Sequence, residues 1–134
     1  MCIRDRNTNV NITGKLNFHG DIGVAGEIFG ISDERLKKDP LKINNSLELI
    51  SRLQPLMYTF KVAENKSLNL SENLQFGLLA QDVEKVLPNL ISEFEMQDGE
   101  NYKSVNYQGL ISILVAAMQE QQEQIKILIE KLEE

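Results

Sequence analysis

The sequence predicts a small α+β domain, preceded by the remnant of a β-rich stalk and followed by a coiled-coil helix. Three observations lead to this fold class. Residues 7–30 alternate apolar and polar side chains between frequent glycines, residues 32–106 mix helical and strand periods, and residues 107–134 repeat apolar residues at helical spacing. We therefore divide the 134 residues into a stalk fragment at 1–31, an α+β domain at 32–106 and a C-terminal helix at 107–134.

The first six residues, MCIRDR, differ in character from the rest of the chain and resemble a translated sequencing adapter. We therefore expect residues 1–6 to be artefactual and the natural protein to continue upstream. No apolar stretch of the kind found in secretory signals comes after them.

Residues 7–30 predict short strands separated by turns. Their apolar residues occur mostly two apart, and the turns are supplied by Gly14, Gly20, Gly23, Gly26 and Gly30. Strands this short cannot bury a face alone, so a β-solenoid or an intertwined β-stalk is indicated. A disordered glycine-rich linker is the alternative.

Two helices are predicted inside the α+β domain. Asn44-Asn45-Ser46 marks the start of the first, which continues through Leu47, Ile50 and Leu53 until Pro55 ends it. The second occupies residues 76–87 and is closed by Pro88.

Three strands are predicted in the same domain. Residues 57–62 alternate like a strand and are followed by a polar loop at 64–72. Residues 90–94 and 102–105 flank Asp98-Gly99, a pair typical of a hairpin turn.

The C-terminal segment predicts a coiled coil. No glycine follows Gly109, and seven residues at spacings of three and four form an a/d seam: Ile111, Leu114, Met118, Gln121, Ile125, Leu128 and Leu132. An amphipathic helix lying on its own domain is the alternative for residues 111–118. For residues 119–134 we expect association with other copies.

The number of helices in that coiled coil stays open on periodicity alone. Isoleucine at a with leucine at d favours two strands, whereas Ala117 at g and Ile129 at e widen the seam towards three. Gln121 at a d position is expected to set the register at some cost in stability.

Composition excludes several functional classes. The net charge of −6 and the pI near 4.9 argue against binding to nucleic acids or anionic membranes, since both depend on clustered basic residues. The longest apolar run, residues 111–118, is too short to span a bilayer. Cys2 and His19 are each the only residue of their type, so we expect no internal disulfide, no metal site and no cofactor.

The segment from Ser32 to Pro40 (SDERLKKDP) holds the residues best suited to catalysis. A continuous helix or a strand would keep Ser32 and Lys37 apart. If Asp33 is a helix N-cap, however, the two side chains flank the helix entry and meet as the residues of a staple do.

A hydroxyl beside an amine at a helix start suits a serine nucleophile. The helix end and partial burial would favour a neutral amine, which could accept the proton of Ser32. Backbone N–H groups at the same helix end could stabilise an oxyanion. An ordinary capped and charged turn remains the alternative.

Four strings occur in order: SDERLK, ISRLQPLMYTFK, FGLLAQDVEKVLPNLI and YKSVNYQGLISILVAAMQEQ. Together they resemble the intramolecular chaperone auto-processing domain, or peptidase S74 family, of phage tailspikes, tail fibres and endosialidases. The resemblance covers Ser32 to about Glu134. The family pattern Ser-Asp-x-Arg-x-Lys is complete in Ser32, Asp33, Arg35 and Lys37.

The resemblance implies a function and its partners. Ser32 would be the nucleophile and Lys37 the base, supported by Asp33 and Arg35, with cleavage between Ile31 and Ser32. Cleavage would depend on an intertwined homotrimer, so the partners would be other copies of the chain and the upstream fibre of the same polypeptide. The precursor of a virion tail fibre or tailspike would be made in the host cytoplasm, and the cleaved module released. A non-cleaving trimerisation cap and a receptor-binding tip are the alternatives.

Overall fold

A computed structural model describes residues 10–134, so the MCIRDR segment lies outside the described residues. Single 3₁₀ turns lie at Glu34–Leu36, Lys66–Leu68 and Pro88–Leu90. Helices alternate with pairs of strands, and the last element is one long helix, which confirms an α+β fold with a C-terminal helix. In chain order they are α1 (Ser46–Ser51), β1 (Leu56–Tyr58), β2 (Gln75–Gly77), α2 (Ala80–Val86), β3 (Ile91–Glu95), β4 (Asn101–Val105) and α3 (Tyr107–Glu133).

Residues 10–31 contain no strand in the structure, so the short strands predicted there are wrong for the single chain. A strand needs a neighbouring backbone to pair with, and here the residues run exposed to solvent. This segment nevertheless touches the domain. The Asn69 side-chain amide donates to the His19 carbonyl at 3.0 Å, and the Lys15 ammonium lies 5.1 Å from the centre of the Phe94 ring.

Helix α1 begins at Ser46 as predicted, but its N-terminal cap comes from a distant part of the chain. Asn45 adopts a left-handed backbone (φ 56°) and makes no side-chain cap. The Glu120 carboxylate of α3 instead accepts hydrogen bonds from the Ser46 N–H (2.9 Å), the Ser46 hydroxyl (2.6 Å) and the Leu47 N–H (3.0 Å). Ser46 is fully buried, so this carboxylate fastens α1 to α3.

These hydrogen bonds lower the pKa of Glu120, with the Leu47 N–H as the largest cause. We expect Glu120→Gln to destabilise the domain at neutral pH, because an amide accepts hydrogen bonds more weakly than a carboxylate. The wild-type advantage should be fully present above the ordinary carboxyl pKa of 4.5 and disappear as the pH falls through the lower folded-state value. Urea unfolding of the wild type and of Glu120→Gln across this pH range measures the difference in their free energies of unfolding, with Glu123→Gln as the control. An advantage that does not change with pH would contradict the role of the charge.

Strands β1 and β2 form an antiparallel ribbon in which Met57 lies opposite Phe76. The predicted strand at 57–62 therefore ends at Tyr58. The predicted helix at 76–87 begins only at Ala80, because Phe76 and the glycine after it belong to β2.

The extended segment before α2 pairs with β1 and also contacts α3. A Cβ atom on Gly77 would lie 2.8 Å from the Tyr107 hydroxyl, so a larger residue there would require the Tyr107 side chain to shift. The same hydroxyl accepts a hydrogen bond from the Leu78 N–H at 3.0 Å. Helical periodicity in the local sequence gives no sign of these tertiary contacts.

Strands β3 and β4 form the predicted hairpin around Asp98-Gly99. The Asp98 carboxylate accepts hydrogen bonds from the Tyr102 hydroxyl (2.6 Å) and the Glu100 N–H (3.0 Å), which lower its pKa. Helix α2 packs against this hairpin. Among residues 10–134 the buried apolar core is small and consists of Leu68, Val83, Leu110, Ile113 and Ala117.

Helix α3 packs on its own domain through a face adjacent to the predicted seam. Its buried residues are Leu110, Ile113 and Ala117, whereas Ile111 is 58% and Met118 is 70% exposed. The alternative of an amphipathic helix lying on its own domain at residues 111–118 is thus confirmed, through Ile113 and Ala117, whereas the seam residues Ile111 and Met118 stay exposed. Residues 121–134 are exposed throughout.

Candidate functional site

The 3₁₀ turn at Glu34–Leu36 is fixed by an ion pair inside it. Asp33 is its N-cap, accepting a hydrogen bond from the Arg35 N–H at 2.9 Å. The Arg35 guanidinium also donates two hydrogen bonds to this carboxylate, from Nε at 2.9 Å and from Nη2 at 2.8 Å. The guanidinium, followed by the Arg35 N–H, lowers the pKa of Asp33, and the carboxylate raises the pKa of Arg35.

This turn brings Ser32 and Lys37 together across its two ends. Lys37 follows the turn in an extended conformation (φ −106°, ψ 133°). Its ammonium nitrogen Nζ lies 2.7 Å from Ser32 Oγ and donates to it. The structure therefore places the four residues of the Ser-Asp-x-Arg-x-Lys pattern in one cluster, with the hydroxyl beside the amine and the ion pair bracing the turn between them.

One expectation about this cluster is wrong in the single chain, and a second is limited by the hydrogen bonds of the turn. The site is not partly buried, since Ser32 and Lys37 are both exposed. The backbone N–H groups of Arg35 and Leu36 are not free for an oxyanion, because they donate to the carboxylate and the carbonyl of Asp33. The turn therefore uses these two N–H groups internally.

The peptide bond before Ser32 is open to solvent. Ile31 is 86% and Phe29 is 82% exposed. Both line a cleft of about 740 Å³ that also includes Ser32, Asp33, Arg35 and Leu36. A nucleophile can reach this peptide bond without any rearrangement of the chain. The exposed residues beside the bond have few contacts that would fix its position.

Residues 10–134 offer neither a metal site nor a membrane span. This part of the chain holds no group of three or more His, Cys, Asp or Glu side chains that could bind a metal ion. None of its helices is both long and apolar enough to cross a bilayer.

This chain is similar to one known protein family and to several phage tail fibre proteins. Residues 32–92 match the model of the peptidase S74 family, described as the chaperone of endosialidase. The long tail fiber protein Gp37 of Escherichia phage AR1 is 33% identical over 94 residues, covering 70% of this chain and 8% of that protein. For its counterpart in Enterobacteria phage M1 the values are 33% over 108 residues, 79% and 41%.

A third relative extends the match along nearly the whole chain. The long tail fiber protein Gp37 of Salmonella phage S16 is 27% identical over 127 residues, which cover 94% of this chain and 17% of that protein. The chain therefore spans less than half the length of each of these relatives.

Proposed function

We propose that this chain, which belongs to the chaperone-of-endosialidase family through residues 32–92, is the C-terminal intramolecular chaperone of a phage tail fibre. It would trimerise the fibre and then release itself by cleaving before Ser32. The relatives named as long tail fiber proteins support the fibre context. The observation that carries the cleavage is the 2.7 Å contact between Lys37 Nζ and Ser32 Oγ.

The proposed reaction is unusual because Ser32 supplies both the nucleophile and the leaving nitrogen. Lys37, as a neutral amine, takes the hydroxyl proton while Ser32 Oγ attacks the Ile31 carbonyl carbon and closes a five-membered ring. The bond from that carbon to the Ser32 nitrogen then breaks, and Lys37 returns the proton to this nitrogen. The product is an ester between Ile31 and Ser32 Oγ. Water hydrolyses the ester to the Ile31 carboxylate and the Ser32 hydroxyl.

Assembly would supply the enclosure of Ser32 and Lys37 that the single chain lacks. In the single chain Lys37 Nζ donates a hydrogen bond to Ser32 Oγ, whereas the proposed reaction needs this nitrogen to accept the hydroxyl proton. Enclosure by neighbouring chains would favour the neutral amine and hold the scissile bond in place. The exposed site therefore fits a protease that is inactive until it is assembled.

The exposed seam of α3 supports the chaperone role. Its apolar side chains include Leu128 and Leu132, which are 58% and 87% exposed. A trimer through this seam would hold three upstream chains at high effective concentration and in register, which a long intertwined stalk with distant contacts needs. Release of the module would leave the fibre kinetically trapped. We place the assembled fibre in the virion and its precursor in the host cytoplasm.

We expect cleavage between Ile31 and Ser32 in a version of the chain that carries a longer authentic stalk. Mass spectrometry of the products should give a fragment that begins with Ser32. Addition of hydroxylamine should convert part of the upstream fragment into a hydroxamate at Ile31, because the ester intermediate reacts with amine nucleophiles.

The second candidate function is a non-cleaving trimerisation cap, which the exposure of Ser32 and Lys37 favours. An intact chain in a soluble and correctly assembled trimer would support the cap and count against the protease. Ser32→Ala serves as the control for unrelated proteolysis, since a contaminating protease would still cut it.

A further inference from the structure

An apolar groove lies beside the start of α3 and is open in the single chain. It has a volume of about 520 Å³ between the end of α1, the β1–β2 ribbon and α3. Met57 and Phe76, opposite each other on the ribbon, are 67% and 74% exposed. Removing such side chains from water is favourable, so the groove is suited to an apolar partner.

The heptad positions of the groove residues indicate which partner this is. The α3 wall consists of Tyr107 and Leu114 at d positions and Leu110 at a g position of the predicted seam. In a parallel coiled coil the d and g side of one helix faces the e side of its neighbour. The e residue that follows Leu110 is Val115, an apolar residue that is 50% exposed.

We infer that a second copy of this chain completes the groove, with Val115 of its α3 entering between Leu110 and Leu114 on one side and Phe76 on the other. This inference rests on the proposed trimer and extends the contact between chains from the helices to the ribbon. A second copy is favoured over an unrelated partner because one wall of the groove is continuous with the seam. If the chains associate in parallel through the seam, Val115 of the neighbouring α3 lies beside Leu110 and Leu114, at the mouth of the groove.

A disulfide cross-link tests this placement. The full chain would carry Phe76→Cys and Val115→Cys, with Cys2→Ser to remove the native thiol. After mild oxidation of the assembled protein, we expect dimers and trimers on a non-reducing denaturing gel. An assembled protein that gives only monomers on this gel would overturn the inference.

A pair of charge substitutions provides an independent test. Val115→Glu should weaken assembly at least about tenfold, because it puts a charge into an apolar groove. Ile127→Glu is the matched control, since Ile127 occupies a c position on the same helix and is 42% exposed. Equal assembly of the two variants by light scattering would overturn the groove contact while leaving the trimer intact. A wild-type chain that stays monomeric would overturn both this contact and the proposed trimer.

Discussion

Replacing Lys37 with arginine should abolish self-cleavage and leave folding and assembly unchanged. Arginine keeps the positive charge and can still donate a hydrogen bond to Ser32. It cannot lose its proton near neutral pH, so it cannot accept the proton of the serine hydroxyl. Loss of a general base costs about 10²- to 10⁴-fold in rate, which would leave the precursor intact over the time of expression. A denaturing gel shows cleavage, and light scattering on the same sample shows assembly.

Lys38→Arg is the matched control, because Lys38 is the adjacent exposed lysine and has no described contact with Ser32. It should cleave like the wild type. Normal processing of Lys37→Arg would show that another group acts as the base, and the 2.7 Å contact would then be structural.

Placing aspartate at Ile125 should prevent both assembly and cleavage, although this residue lies far along the chain from Ser32. In a trimer through the predicted seam, Ile125 occupies an a position, and three carboxylates would meet in one buried layer. The cost to assembly is expected to be on the order of several kcal/mol. If cleavage needs enclosure of Lys37 by neighbouring chains, the monomer should remain uncut.

Ile127→Asp separates this effect from a general loss of helix stability, since it adds the same charge to the same turn of α3 outside the seam. It should assemble and cleave normally. A monomeric Ile125→Asp protein that cleaves at the wild-type rate would contradict the dependence of cleavage on assembly, even if Ser32 is the nucleophile.

Local signals were enough to predict the elements whose determinants lie close together in sequence. The β3–β4 hairpin follows from Asp98-Gly99 between two alternating segments. The meeting of Ser32 and Lys37 follows from the capping of one turn by Asp33, which involves only neighbouring residues. Their catalytic roles stay a prediction, because proximity alone does not establish a proton transfer.

Elements fixed by distant contacts could not be predicted in this way. Phe76 has a helical pattern around it, yet it lies in an extended segment that pairs with Met57 of the distant strand β1. The cap of α1 comes from Glu120, 74 positions away from Ser46, and nothing near Asn45 indicates it. The strands predicted in residues 7–30 have, from residue 10 onward, no pairing partner in the part of the chain that the structure describes.

The face of α3 that packs on the domain was missed for a different reason. Leu110, Ile113 and Ala117 follow the same spacing as the seam, and one apolar helix can satisfy two partners at once. Periodicity identifies that a helix is amphipathic, but where two apolar stripes are adjacent it cannot assign each stripe to its partner.

The cap that Glu120 places on α1 has a consequence for local stability along α3. Six residues are too few for a helix to persist alone in water, so we expect α1 to unfold whenever it loses its contact with residues 107–120. Residues 121–133 continue the same helix without any buried side chain, so their amides are held only by the helix itself. In a monomer, hydrogen exchange should therefore be slow before Glu120 and fast after it, although no break in the helix separates the two halves.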